Sequence, residues 1–352
     1  MVYSLKSDKR APRRILIARL DRLGDVVLST PVIRHMRKLF PKAHISFMVR
    51  PENRDVVENN PDLNEVILYD KGGREKGFLG AAKFALVLLK KNRFDMAIAL
   101  HPSARTHIAF FLAGIPARIG YDRKMGWLLT ERIPHFKQEG EMHEALYNFH
   151  LLGEAGFDVS GADARPYMAT SERDKAFVDR IQEKMGFGNG FIVVHAGASC
   201  PSKRWPPERF AEAADALAAK FGYHIVIVGG SDTAEHSGKM VSAMKGRAFD
   251  LTGKLNIGAL AEVISRARIF ISNDSGPVHI AVAVGTPVVA IFGRKNPGLS
   301  PKRWGPLGQR DIVLHRDVGC KKCLAHECDK GFKCLEAVAV DDVVKAARGI
   351  LG

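Results

Sequence analysis

Three stretches of the chain place reactive residue types just beyond short apolar runs. The first runs Ile15 to Ala18 and continues Arg19-Leu20-Asp21-Arg22-Leu23-Gly24-Asp25, where glycine permits a tight turn and Asp25 falls near a helix start. A carboxylate there has two readings. It caps the helix or complements its dipole, or it stands at the carboxyl end of a strand, where open parallel sheets bind their ligands. The second stretch is His195-Ala196-Gly197-Ala198-Ser199-Cys200-Pro201-Ser202-Lys203-Arg204-Trp205-Pro206, a small-residue loop ending in cations. Small residues let backbone amides approach a phosphate and Lys203 offers a point charge to neutralise it; an ordinary strand-to-helix loop has the same look. The third, Ile269 to Ser272 followed by Asn273-Asp274-Ser275-Gly276-Pro277-Val278-His279, is a strand turning sharply into a helix. The free N-H groups of such a helix start suit a diphosphate. Asp274 would repel a phosphate, so hydrogen bonds from sugar hydroxyls or backbone suit it better. His279 is either beside the phosphates or a half-buried helix histidine.

Stretches of this kind need strands that end together. Short β-branched runs (15–18, 45–49, 66–69, 96–100) alternate with helix-like segments (76–91, 103–113), the pattern of βαβ units. The segment 157–166 is polar and turn-rich and reads as a linker. The pattern then restarts with strands at 191–195, 225–228, 269–272 and 288–291 and helices at 207–221, 257–266 and 278–284. The expected fold class is therefore α/β, with two doubly wound domains whose strand ends face a central cleft. The divisions are 1–165, 166–335 and a C-terminal helix in 336–352 that packs back on the first domain.

The whole chain bounds these readings. Its 352 residues suit two domains, and 46% hydrophobic with 26% charged residues is ordinary globular composition. No apolar run approaches the ~20 residues that span a bilayer. The basic start, Met1 to Arg14, lacks the pattern of a signal peptide, which points to a cytoplasmic protein. Lys and Arg number 53 against 38 Asp and Glu, a net charge of +15 that favours polyanionic partners. The cations are scattered, aromatics are 8%, and no nucleic-acid motif is present, so nucleic acid is not expected. The Gly-Lys-Ser/Thr order of a Walker loop and a Gly-x-Gly-x-x-Gly after the first strand are both absent, which argues against an NTPase or a dehydrogenase.

Taken in order and spacing, Gly24-Asp25-Val26-Val27-Leu28-Ser29-Thr30-Pro31, Lys203-Arg204-Trp205-Pro206 and Asn273-Asp274-Ser275-Gly276-Pro277-Val278-His279 resemble glycosyltransferase family nine, the bacterial ADP-heptose:lipopolysaccharide heptosyltransferases. The resemblance runs from about Arg14 to Val340 and includes Gly229-Gly230 and Gly285-Thr286-Pro287. It implies a GT-B fold of two Rossmann-like domains, the first for the acceptor and the second for the nucleotide sugar. It also implies an inverting, metal-independent transfer of heptose from ADP-L-glycero-D-manno-heptose to the inner core of lipopolysaccharide. Asp25 matches the family's general base and Lys203 its phosphate-neutralising lysine. Gly24, Ser199, Lys203, Asp274, Ser275, Gly276 and His279 fall to the donor, as do Glu235 at the adenosine ribose and Leu255 beside the adenine. Arg19, Arg22, Arg105 and Arg123 are candidates for anionic groups of the acceptor. The partners implied are an ADP-activated sugar, a lipid A-core glycolipid and, peripherally, the inner face of the cytoplasmic membrane.

Two alternatives share these residues: transfer of another nucleotide-activated sugar to a cell-surface glycolipid, and a non-catalytic glycolipid-binding protein. No cofactor is expected, and the absence of an Asp-x-Asp motif agrees with metal-independent transfer. Cys320, Cys323, Cys328 and Cys334 have intervals of a metal-binding cluster. A cytoplasmic compartment disfavours disulfides, which leaves zinc or, as the preferred reading, reduced thiols packed in a loop.

Overall fold

The computed structural model describes residues 11–70, 72–321, 323 and 326–352. The chain divides into two compact units, one made of the chain to Lys137 with Glu144–Pro166, the other of Gln138–His143 with Tyr167–Gly352. Most of the basic start, residues 1–10, lies outside the described residues.

The first unit is built on a parallel six-stranded sheet of β1 (Arg14–Ala18), β2 (His44–Val49), β3 (Glu65–Leu68), β4 (Met96–Ala99), β5 (Ala117–Tyr121) and β6 (Glu131–Ile133). The strand order is β3-β2-β1-β4-β5-β6. The helices are α1 (Leu23–Val27), α2 (Thr30–Leu39), α3 (Gly77–Asn92), α4 (Ala104–Leu112) and α5 (Glu144–Glu154). Ile15, Leu16 and Ile17 are all buried. Apolar side chains on consecutive positions point to both faces of a strand, which is why such a run suits a parallel sheet covered on both sides. The interior strand β5 and the edge strand β6 escape the sequence reading because they are short and carry charges at Arg118, Glu131 and Arg132.

The second unit repeats the plan with α6 (Glu172–Met185), β7 (Phe191–His195), α7 (Pro207–Phe221), β8 (His224–Ile227), α8 (Ala234–Ala243), β9 (Ala248–Asp250) and α9 (Ile257–Ser265). It continues with β10 (Phe270–Asn273), α10 (Gly276–Val284), β11 (Val288–Phe292), α11 (Pro301–Trp304), β12 (Ile312–His315), α12 (Lys333–Glu336) and α13 (Val340–Leu351). Its order, β12-β11-β10-β7-β8-β9, is again all parallel. In both sheets the direction of winding reverses beside the first strand, between β1 and β4 and between β7 and β10. Ligands of doubly wound sheets bind at that switch point. The short segment Gln138–His143 joins this unit: a Cβ on Gly140, at φ +66, would sit 2.0 Å from the Pro297 carbonyl, so the close approach and the left-handed backbone both demand glycine.

One expectation is corrected. The last helix has its packing within the second unit: Val343, Ala346, Ala347 and Ile350 of α13 enter the same core as Trp205, Phe210, Leu217 and Ile291. The reason lies in Trp205, which is fully buried and donates from Nε1 to the Val338 carbonyl at 3.0 Å, fixing the approach to α13 on the second unit. The apolar face of α13 then has an apolar partner within its own unit, which satisfies its amphipathic pattern.

Candidate active site

In the first unit, Asp25 lies in the first turn of α1, just past the carboxyl end of β1. The helix has Arg22 at its N-cap and no side-chain cap bond, so capping is not what Asp25 does. Its carboxylate instead accepts from Arg19 Nη2 at 2.6 Å. Arg19 is 2% exposed and spends all its donors locally. Nε bonds Asp21 at 2.7 Å, Nη1 bonds the Leu100 carbonyl at 3.2 Å and Asn148 Oδ1 at 3.3 Å, and Nη2 bonds Glu144 at 3.0 Å besides Asp25. A guanidinium has five N-H groups, and five acceptors take them. This overturns Arg19 as a ligand for an anionic acceptor; it is the fork that holds the carboxylates. Lys137, buried, adds a second cation at 2.7 Å from Glu144, and its ammonium lies 5.0 Å from the Tyr121 ring centre. His101 Nδ1 stands 3.2 Å from Asp21.

The electrostatics of this cluster favour a proton acceptor. Burial pushes the Asp25 carboxyl up to about 6; Arg19 works in the opposite direction, and repulsion from Asp21 and Glu144 adds to the rise. A base with its pKa near the working pH combines an ionised resting form with real proton affinity. Burial also draws His101 down to about 4, with Asp21 opposing, so the imidazole stays neutral at pH 7. Ser29 Oγ donates to the Asp25 carbonyl at 2.8 Å and accepts from Asn148 Nδ2 at 3.4 Å, tying the α1 turn to α5. Of the other first-unit candidates, Gly24 is buried in α1, while Arg22, Arg105 and Arg123 are exposed. Arg123 contacts His135 Nδ1 at 3.3 Å. Gly24 thus lies on the opposite unit from the other residues assigned to the donor.

In the second unit, Asp274 follows β10 and Lys203 follows β7, the two strands that flank the switch point. Lys203 Nζ is 3.0 Å from Asp274 Oδ1, and Arg294 Nη2 donates to Asp274 Oδ2 at 3.1 Å. Two nearly buried cations thus grip one buried carboxylate. Burial lowers the Lys203 pKa; Asp274 opposes the fall and Arg294 adds to it. The second cation leaves positive charge over for an anion. Beside them, His195 Nδ1 lies 3.1 Å from Ser272 Oγ and 3.2 Å from Ser275 Oγ, the hydroxyls being 3.0 Å apart. Burial takes His195 down to about 4, so it serves these hydroxyls as a neutral ring. Ser275 is the N-cap of α10 and makes no side-chain cap bond; with proline at 277 and the Val278 N-H given to the Ser275 carbonyl at 3.2 Å, the N-H that this helix start offers a ligand is that of Gly276. Gly276 opens that helix and His279 is buried one turn on. Asn273 locks the turn to the β7 loop, accepting from Trp205 N at 3.0 Å and donating to the Ala196 carbonyl at 2.7 Å.

The remaining donor candidates lie further out. Ser199 is exposed in the β7 loop and Leu255 half-buried before α9. Glu235 is exposed in the first turn of α8 and pairs with Lys239 at 2.7 Å, which holds its carboxyl below the usual range. Sequence reasoning missed Arg294, Lys137, Glu144 and Asn148. Arg294 had a readable signal, a cation three residues past the strand read at 288–291. Glu144 and Asn148 are more than a hundred residues from Arg19, and no local spacing reveals such a pairing.

With this geometry in view, the comparisons are specific. The model of glycosyltransferase family 9 (heptosyltransferase) matches residues 87–333. Lipopolysaccharide heptosyltransferase 3 of Escherichia coli K12 is 25% identical over 338 residues, covering 93% of this chain and 95% of the relative. A glycosyl transferase family 9 structure from Veillonella parvula is 28% identical with a TM-score of 0.86, covering 96% of this chain and 97% of that one. The structure of E. coli ADP-heptose lps heptosyltransferase II, 23% identical, has a TM-score of 0.77 over 96% of this chain and 98% of that one. The architecture is that of the GT-B glycosyltransferases. This chain belongs to glycosyltransferase family 9, the heptosyltransferases.

Proposed function

We propose that this protein is an inverting heptosyltransferase that moves heptose from ADP-L-glycero-D-manno-heptose to an inner-core lipopolysaccharide acceptor. The observation that carries the proposal is Asp25, an Arg19-held carboxylate at the switch point of the first sheet, with its pKa raised to about 6. An acceptor hydroxyl loses its proton to Asp25 as its oxygen attacks the anomeric carbon. The bond from that carbon to the phosphate oxygen breaks on the opposite face, which inverts the configuration. A positioned base of this kind contributes ~10²–10⁴-fold. ADP departs with growing negative charge, which Lys203 and the Gly276 N-H at the start of α10 stabilise. Asp274 orients Lys203 and takes hydrogen bonds from the sugar, while Ser199, Ser275, Gly276, His279, Glu235 and Leu255 line the donor.

The choice of ADP-heptose and lipopolysaccharide draws on the relatives, whose names carry those substrates. The acceptor's lipid places the enzyme at the cytoplasmic face of the inner membrane. Among the described residues no helix is long and apolar enough to cross a membrane. The exposed Leu79, Leu86, Phe111 and Trp127 of the first unit, with a net charge of +15, suit peripheral contact with an anionic surface.

The test is Asp25→Asn, assayed for transfer from ADP-heptose to heptose-deficient lipopolysaccharide and, separately, for ADP binding by calorimetry. Transfer falls ~10²–10⁴-fold while ADP affinity stays within about twofold. Transfer at the wild-type rate would remove Asp25 as base. Transfer from a UDP- or GDP-sugar and none from ADP-heptose would replace the donor.

A further inference from the structure

The stretch from the end of β12 through α12 takes no part in the chemistry above, yet it concentrates four of the chain's five cysteines. We propose that Cys320, Cys323, Cys328 and Cys334 form a tetrathiolate site for a thiophilic transition metal ion, zinc or iron, that buttresses the wall behind Asp274. The four thiols line one cavity of about 120 Å³, and none is in a disulfide. Their intervals, two residues, then four, then five, bring pairs from adjacent turns toward one point, as structural metal sites do. This departs from the sequence reading of thiols merely packed in a loop.

Three observations beyond spacing carry the assignment. The Phe332 N-H donates to Cys328 Sγ at 3.3 Å across a turn in which Gly331 and Phe332 both take positive φ, 58° and 60°. A backbone aimed at sulfur through a left-handed non-glycine residue is what a metal-bound thiolate needs in its outer shell, and it is not free of cost. Next, Arg294 Nε and His315 Nε2 line the same cavity, buried and with no hydrogen-bond partner among the described residues. Buried donors without acceptors are uncommon. Thiolate sulfurs on a metal supply acceptors to both. Finally, Lys295, Arg316, Lys321 and Lys330 also line the cavity, against Asp317, Glu327 and Asp329. Four thiolates around a divalent ion carry two net negative charges, and a cation-rich wall stabilises them.

Among the described residues no three His, Cys, Asp or Glu side chains are already gathered for a metal. The ion itself draws the sulfurs in to ~2.3 Å. Tetrahedral sulfur coordination selects zinc or iron. Its role is structural. Gly293, Arg294 and Ser202 share the cavity wall, and Arg294 bonds Asp274, so an ordered metal loop fixes the second cation of that carboxylate. The effect on ADP rests on the donor reading given above; the metal itself does not.

The full chain, purified without chelator and dialysed, is analysed for metals, and its thiols are titrated with a mercurial while metal release is followed. The proposal expects about one zinc or iron per chain, released in step with modification of about four thiols. Iron is told from zinc by its visible absorption. Cys323→Ser with Cys334→Ser loses the metal, and ADP affinity falls severalfold. Metal-free wild-type protein with freely reactive thiols overturns the proposal, as does a disulfide among the four or metal retained undiminished by the double variant. The wild-type titration decides the matter even where the double variant does not fold. Metal lost with ADP affinity unchanged removes the buttressing role and leaves the donor assignment standing.

Discussion

The two units have the same strand order and place their charged clusters at the same topological position, yet the clusters have opposite balances. Around Asp25, the cations Arg19 and Lys137 stand among three carboxylates, Asp21, Asp25 and Glu144. Around Asp274, the cations Lys203 and Arg294 share one carboxylate. The first cluster has negative charge over, which raises a carboxyl's affinity for a proton. The second has positive charge over, which suits a departing diphosphate. A doubly wound sheet supplies the place, and the residues at its switch point decide what is done there.

The contrast is sharpest in what happens when a cation is removed. Arg19→Met leaves three carboxylates facing one another in a largely buried site, with the Lys137 ammonium bonded to Glu144. Breaking a buried ion cluster from one side costs ~3–5 kcal/mol, measured as the loss in unfolding free energy in urea. A loss below about 1 kcal/mol, the scale of an exposed ion pair, would mean the cluster is not organised as described. Lys203→Met has a milder effect on the fold, because Arg294 still pairs with Asp274. ADP affinity falls roughly 10–100-fold, the scale of one charge-assisted contact at ~1.5–3 kcal/mol. If calorimetry finds ADP binding intact, the positive balance of the second cluster is not used for the diphosphate.

The smallest effect is in pH dependence. Asp25 must be ionised to accept a proton, so kcat/KM drops roughly tenfold per unit as pH falls below about 6. A limb near 4 in the pH profile of kcat/KM would contradict the burial effect at Asp25. The linkage to stability has the opposite sense to the usual aspartate. The folded carboxyl binds its proton more tightly than the unfolded one, so stability from this group is present below about 4 and declines as pH rises to about 6.

Much of this architecture was legible in the sequence, for a local reason. The runs at 15–18, 191–195, 269–272 and 288–291 are largely apolar on consecutive positions, as buried parallel strands must be, and a glycine follows each within seven residues. The edge strands β6, β9 and β12 were not read, since a short strand half in solvent has no continuous apolar run, and the interior β5 was missed because Arg118 and Gly120 interrupt its apolar residues. The C-terminal helix was read as a helix and given the wrong partner. Its apolar stripe says only that it covers something, and the bond from Trp205 to Val338 selects the second unit.

Asp25, Lys203 and Asp274 were determined as candidates by sequence, because strand ends and turn residues are encoded in neighbouring positions. Their physical states were decided only by the folded chain. Asp25 becomes a base with its pKa near 6 because its own carboxyl is cut off from water, with Asp21 and Glu144 adding to the rise and Arg19 opposing it. Asp274 becomes the centre of a cation pair because Arg294 arrives from another strand. Charge energies depend on distance in space and on exclusion of solvent, and neither is a property of position along the chain.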